Sequence, residues 1–232
     1  MTPPRFRDAV TVPRKLSIFT TGADVPATPL SNKIGQRLGP SGRRTRDRFL
    51  DASRTLLASM SPIDLTASAI SKQAGSSPAT FYVYFDDIRD LLLALSETAS
   101  ATADALFPLS DALLVDERLE QDIATMIGAV NAAWDLAAPI LLYRNLEADR
   151  GDAQFDELRT RQATPMLERI AAAIAMRRGA GFPAVIAIAE AGVLVAAIER
   201  IAVRTHWRSA DGPRPQDLAD ALARLVVKGI RA

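Results

Sequence analysis

The sequence predicts an all-α protein, with a three-helix helix-turn-helix domain at the front and a larger helical domain behind it. Three observations predict this. After residue 41 apolar residues recur at helical spacing in nearly every segment, and none alternates as a strand does. Alanine, the best helix former, is abundant. Prolines, glycines and capping residues fall where helices must start and stop. The 232 residues suit one or two domains, and 48% apolar with 24% charged residues is a globular composition.

Residues 1–41 hold six of the fourteen prolines and no persistent period, so they read as a flexible basic extension. Residues 1–48 carry ten Lys/Arg against three Asp, a balance of +7, while the remainder balances at −6. Such a split suggests a polyanionic partner at one end. The first helix is expected over 42–59, from the stripe Phe49, Leu50, Ala52, Ser53, Leu56 and Leu57. Ser61-Pro62 ends that segment. A short second helix over 67–74 has Thr66 as its N-cap and Gly75 just past its end. Ser77 as N-cap and Pro78 at the first helical position open a third helix, 78–85, only about two turns long. Asp86 or Asp87 caps a fourth over 88–106. Further helices are expected over 116–135, 139–148, 152–178, 183–208 and 215–230, with Pro165 kinking or splitting the third of these. The domain organisation expected is an extension over 1–41, a helix-turn-helix domain over 42–100 and a helical domain over 101–232.

Composition excludes several functions. The chain has no cysteine, and His206 is its only histidine. No disulfide scaffold, thiolate metal site, cysteine nucleophile or imidazole triad is available, so an enzyme is not expected. No cofactor or metal is expected either. The acids Asp149, Asp152, Asp156 and Glu157 surround a glycine turn and a helix start, where acids are favoured anyway. The stretch 16–30 has no continuous apolar core, and the longest apolar run, 184–198, is broken by Glu190. Neither reads as a signal peptide or a span, so a soluble, cytoplasmic protein with no membrane partner is expected.

Two short helices joined by a tight glycine turn make a helix-turn-helix. Ile70 and Ala74 face inward from one, Phe81 and Phe85 from the other, which turns the opposite face of the third helix outward. A helix so presented can enter a DNA major groove while its predecessor braces on the backbone. The run 65–92 resembles the DNA-binding domain of the tetracycline-repressor (TetR) family. The Thr80-Phe81-Tyr82-x-Tyr84-Phe85 core, followed by Asp90-Leu91-Leu92, carries the resemblance, which covers about residues 43–99. It implies a homodimer that binds operator DNA through the N-terminal domain and a small effector through the C-terminal domain. Effector binding would move the reading heads apart and release the operator.

The resemblance gives Tyr82 a backbone-phosphate contact. Thr66, Thr80 and Tyr84 are further phosphate or base-edge candidates, and Ser68, Ser77 and Pro78 complete the expected DNA-facing set. Ala79 and Val83 lie four apart on the exposed face, where they can meet thymine methyl groups. No Arg, Lys, Asn or Gln occurs from Ser76 to Phe85, so this helix cannot read guanine or adenine bidentately. Arg43 and Arg44 are expected to supply affinity at phosphates or a narrow minor groove. Three positions depart from the family pattern. Ser71 stands for the usual alanine, Ser76 for an apolar turn residue, and Ile88 for a lysine that touches phosphate. Arg89 is a partial substitute for that lysine, although it points about 100° away around the helix.

In the C-terminal domain, helix 183–208 is apolar nearly all round, and helix 215–230 carries the stripe Leu218, Leu222, Leu225, Val226 and Gly229. Two such helices per chain would form a four-helix dimer seam. Met126, Trp134, Tyr143, Phe155 and Met176 are candidate lining for an effector pocket. Glu190 would anchor a ligand or pair with an arginine across the dimer. The function expected is a transcriptional regulator, a repressor relieved by a small, mostly apolar effector. The alternatives are a sequence-tolerant DNA-binding protein without ligand response, and a helical carrier of lipid-like ligands without a DNA role.

Overall fold

The computed structural model describes residues 38–106, 117–205 and 212–232. The extension up to residue 37 and His206 lie outside the described residues. Helices account for the described chain, with no strand among the described residues. The all-α expectation holds.

Helix α1 spans Pro40–Leu57, two residues earlier than expected, because Pro40 suits the first helical turn where no amide donor is needed. It buries Phe49, Leu50, Ala52, Ser53 and Leu57. The Ser53 hydroxyl is satisfied by donating to the Phe49 carbonyl at 2.8 Å. A 3-10 turn, Pro62–Asp64, leads to α2 (Ala67–Gln73) and α3 (Pro78–Tyr84). Helix α4 spans Ile88–Leu106. The Asp90 amide donates to the Asp87 carboxylate at 2.8 Å, and the Asp86 amide to that of Asp90 at 3.1 Å. The acids at this corner thus cap the helix and complement its dipole.

The helices expected over 116–135 and 139–148 are the two segments of α5 (Leu119–Asp149), which meet at a kink where Ala137 leaves helical geometry (φ −140°, ψ 19°) just before Pro139. Pro139, which needs no amide donor, stands in the first turn of the second segment. Pro165 has less effect still, since α6 (Ala153–Arg178) runs through it unsplit. Helices α7 (Ala184–Thr205) and α8 (Pro215–Arg231) complete the fold. By length and composition α5 is apolar enough to cross a membrane. It also carries the buried charged residues Asp122 and Arg144.

The described chain forms two compact units. One joins residues 38–100 with Pro139–Leu158. Its core is Phe49, Leu50, Ile70, Phe81, Phe85, Leu91, Leu92 and Leu95, with Ile140 buried among them and Tyr143 packed against them. Arg89 fastens the later segment to the earlier one. Its Nε and a terminal nitrogen donate to the Asp152 carboxylate at 2.8 and 2.7 Å, and the terminal nitrogen also reaches Gln154 at 2.9 Å. The guanidinium lies over the Phe155 ring, 5.3 Å from its centroid. Asp152 also caps α6, accepting from the Gln154 amide at 3.1 Å.

The Arg89 hydrogen bonds hold the Asp152 carboxyl below its ordinary value. The stabilisation is therefore full above the unfolded carboxylate range, near pH 4, and is lost as acid protonates Asp152. Because the Arg89 side chain is 39% exposed, screening limits the pair to about 1 kcal/mol. Asp152→Asn keeps a capping oxygen and removes the charge. It is expected to cost up to about 1 kcal/mol at neutral pH, with the gap to wild type closing towards pH 2. Chemical denaturation across pH measures this, and a gap that persists in acid would refute it.

The second unit contains Arg159–Ala232 and the described residues of Ala101–Ala138. Its core joins Leu119, Ile123, Met126 and Ile127 of α5 to Ile170 and Ile174 of α6, Ala191, Val195 and Ile198 of α7, and Leu222, Val226 and Ile230 of α8. At Gly229 an added Cβ would stand 3.2 Å from a Leu194 methyl, so glycine lets α7 and α8 approach closely.

Ser71 is fully buried on α2, and its hydroxyl has no hydrogen-bond partner. An unmet buried hydroxyl costs about 1–3 kcal/mol, and alanine is the better helix former. Ser71→Ala is expected to stabilise the protein by about 1 kcal/mol, read as a raised melting temperature. An unchanged or lowered value would contradict it.

Candidate nucleic-acid interface

The angle between α2 and α3 is set by a local device. Gly75 adopts φ +62°, a conformation that L side chains rarely adopt. Its amide donates to the Lys72 carbonyl at 3.2 Å, and the Ser76 amide to the Ser71 carbonyl at 2.9 Å. These two bonds close the helix end in a Schellman arrangement. The helices are also capped as expected: Thr66 Oγ1 accepts from the Ala69 amide and Ser77 Oγ from the Thr80 amide, each at 3.1 Å.

Inward, Ile70 and Phe81 are fully buried and Phe85 nearly so. Phe49 of α1 is the hub. Its ring meets Phe81 edge-on at 5.6 Å, Phe85 edge-on at 6.4 Å and Tyr84 at 6.0 Å between centroids. Outward, Ser77, Pro78, Ala79, Tyr82 and Val83 are exposed, with Tyr82 at 48% and Val83 at 47%. Thr66 and Ser68 are exposed on α2. Thr80 is half-buried, and its hydroxyl shares a 2.9 Å hydrogen bond with that of Ser77. Tyr84 is half-buried against the core. The structure therefore presents Ala79, Tyr82 and Val83 together on the outer side of α3 and turns the Tyr84 ring inward.

Arg43 and Arg44 are exposed near the start of α1, whose first turn holds no acid. Arg43 Nε donates to the Leu38 carbonyl at 3.2 Å. Arg46 is a residue that sequence reasoning missed. Its guanidinium lies 5.1 Å from the centroid of the Phe85 ring, beside the end of α3. The available signal was its spacing, three residues before the buried Phe49 on the same helix face. Ile88 is half-buried and packs against the aromatic core, which accounts for an apolar residue there. Arg89, expected as the substitute phosphate contact, is committed instead to Asp152 and Gln154.

The effector candidates are spread out. Tyr143 and Phe155 meet edge to face at 5.6 Å in the first unit. Burial, with Glu147 nearby, pushes the Tyr143 phenol up, so it stays protonated at neutral pH. Met126 belongs to the second unit's core and Trp134 is buried, whereas Met176 is 62% exposed. Glu190 pairs with Arg178 of its own chain at 3.4 Å. A groove of about 430 Å³ lined by Glu120, Ala223, Arg224, Val227, Lys228 and Arg231 contains none of these six.

Comparison with known proteins agrees with this geometry. Residues 49–95 match the family described as bacterial regulatory proteins, tetR family, and residues 120–232 match the tetracyclin repressor-like C-terminal domain. An uncharacterized HTH-type transcriptional regulator of Mycobacterium tuberculosis is 35% identical over 104 residues, which are 40% of this chain and 52% of that protein. The chain thus spans about half the length of the curated relatives it matches. Among solved structures, the fatty acid degradation regulator FadR of Bacillus halodurans superposes with a TM-score of 0.62 at 14% identity, covering 83% of this chain and 97% of that one. A tetR-family transcriptional regulator of Streptomyces coelicolor gives 0.62 at 17% identity, covering 82% and 80%. FadR of Bacillus subtilis, solved in complex with stearoyl-CoA, gives 0.60 at 15% identity, covering 79% and 98%. These likenesses support the fold, and the two matched domains together span more than half of the chain. The chain belongs to the TetR family of bacterial transcriptional regulators.

Proposed function

We propose that the chain is a cytoplasmic repressor that binds operator DNA as a homodimer and is released by a small, mostly apolar effector. The observation that carries the DNA reading is the outward face of α3, held clear of the aromatic core by the Gly75 turn, with Arg43, Arg44 and Arg46 on the adjoining helix. Residues 42–100 are assigned to DNA and residues 101–232 to the effector and the partner subunit. Release follows if the effector prefers the conformation that cannot bind operator. The apolar character of the second unit and the fold shared with a regulator that holds stearoyl-CoA make that thioester the first ligand to try.

The test is duplex binding by the full chain across salt concentrations, with its own promoter among the duplexes. Replacing Arg43 and Arg44 together by alanine removes four arginines from the dimer, and is expected to weaken binding about tenfold or more at moderate salt and to lower the salt slope by about three to four. An unchanged affinity and slope would remove these arginines from the interface. No retention of any duplex at low salt would overturn the DNA reading itself.

A further inference from the structure

The chemistry of α3 narrows what kind of operator it can read. From Ser76 to Phe85 no side chain carries an amide, a carboxylate, a guanidinium or an ammonium. Those groups make the bidentate contacts by which proteins distinguish guanine, adenine and cytosine edges. Hydroxyls remain, but the structure constrains them. Ser77 and Thr80 share one hydrogen bond, and Ser77 also caps the helix, leaving one hydroxyl proton between them. The Tyr84 ring is packed towards Phe49. What stands outward, besides the Pro78 ring at the start of the helix, is the Ala79 methyl, the two Val83 methyls and the Tyr82 phenol. Ala79 and Val83 are one turn apart, so their methyl groups form one small apolar patch on the face directed away from the core. In the major groove one base-pair group matches such a patch, the C5-methyl of thymine.

Resting on the DNA-reading function proposed above, we infer that Ala79 and Val83 read thymine methyl groups in the operator half-site, and that these contacts rather than bidentate hydrogen bonds carry the base specificity of α3. Tyr82, at the edge of the same face, serves the phosphate backbone and sets register. The exposed Lys72 and Gln73 end α2, the helix that lies across the backbone in this docking arrangement.

The experiment begins by selecting duplexes from a random library with the full chain at low salt. Each thymine of the selected site is then replaced singly by uracil, which removes only the methyl group. At least two thymines per half-site are expected to lose about fourfold in affinity each. Val83→Ala is expected to erase that penalty at one of them, because the methyl would have lost its apolar partner. Val83 is exposed, so this variant folds. A penalty that survives Val83→Ala and an Ala79→Ser variant would come from duplex shape and would overturn the inference. So would specific binding that tolerates uracil everywhere, or a selected site dominated by G·C pairs. Failure to retain any duplex would overturn the proposed function and this inference with it, an outcome distinct from specific binding indifferent to uracil.

Discussion

Phe49→Ala is expected to cost about 3–5 kcal/mol and to unfold the N-terminal unit first. Phe49 is fully buried and is the ring against which Phe81, Tyr84 and Phe85 pack. Truncation leaves a cavity bounded by three rigid rings of α3 and its C-cap, and such a site collapses poorly. The edge-on geometry adds quadrupole attraction that aliphatic filling cannot replace. Since whole domains are stable by only about 5–15 kcal/mol, this one change consumes much of the margin. Two units need not melt together, so the expected signature is an early transition in a thermal scan, with the later one retained. Operator binding should vanish with the early transition. Ile63, 73% exposed, supplies the control: Ile63→Ala should stay within about 0.5 kcal/mol of wild type. A Phe49→Ala protein that melts like wild type would show that the aromatic hub does not hold the reading helix.

Val193→Asp is expected to separate the proposed homodimer and to lower operator affinity on the order of 100-fold. Val193 is 71% exposed on α7 although it is a large aliphatic residue, and Val185, Ile186 and the α8 residue Leu225 are exposed with it. A single chain has no reason to leave four branched side chains of two packed helices in water, whereas an interface between copies does. On a two-fold seam the substitution occurs twice, so two carboxylates would be desolvated near each other. The folded chain should tolerate the change because Val193 contributes little to its own core. Losing the partner removes one of two half-sites, which lie about 34–36 Å apart in such dimers. Sedimentation should report roughly twice 25.0 kDa for wild type and 25.0 kDa for the variant. A variant that remains dimeric would move the seam elsewhere.

The helix-turn-helix was legible because its determinants are short-range. Thr66 and Ser77 accept from amides three residues on, Gly75 supplies a left-handed turn, and Pro78 needs no amide donor. Interior and outward positions of α3 follow from a 3.6-residue period applied to eight residues. The prolines show where such reasoning stops. Pro139 and Pro165 carry the same local penalty, yet one accompanies a break at Ala137 and the other sits in unbroken helix. The outcome depends on what each helix packs against, and Ile140, one residue past Pro139, is drawn into the aromatic core.

Contacts between residues far apart in the chain left no periodic trace. Arg89 and Asp152 are 63 residues apart, and nothing in either segment announces the other. Asp152 reads locally as a helix cap, which it is, and Arg89 as a free cation, which it is not. Arg46 over Phe85 and Glu190 beside Arg178 are of the same kind. By itself the sequence determined the helical class, the caps of α2 and α3, and the outward face of α3, since steric and hydrogen-bonding preferences within a turn or two decide these. Only the tertiary structure decided which charged groups are spent on one another, which proline bends its helix, and that Pro139–Leu158 packs with the front helices. Those outcomes depend on which surfaces meet once the chain has collapsed, and the chemistry of neighbouring residues carries no record of that.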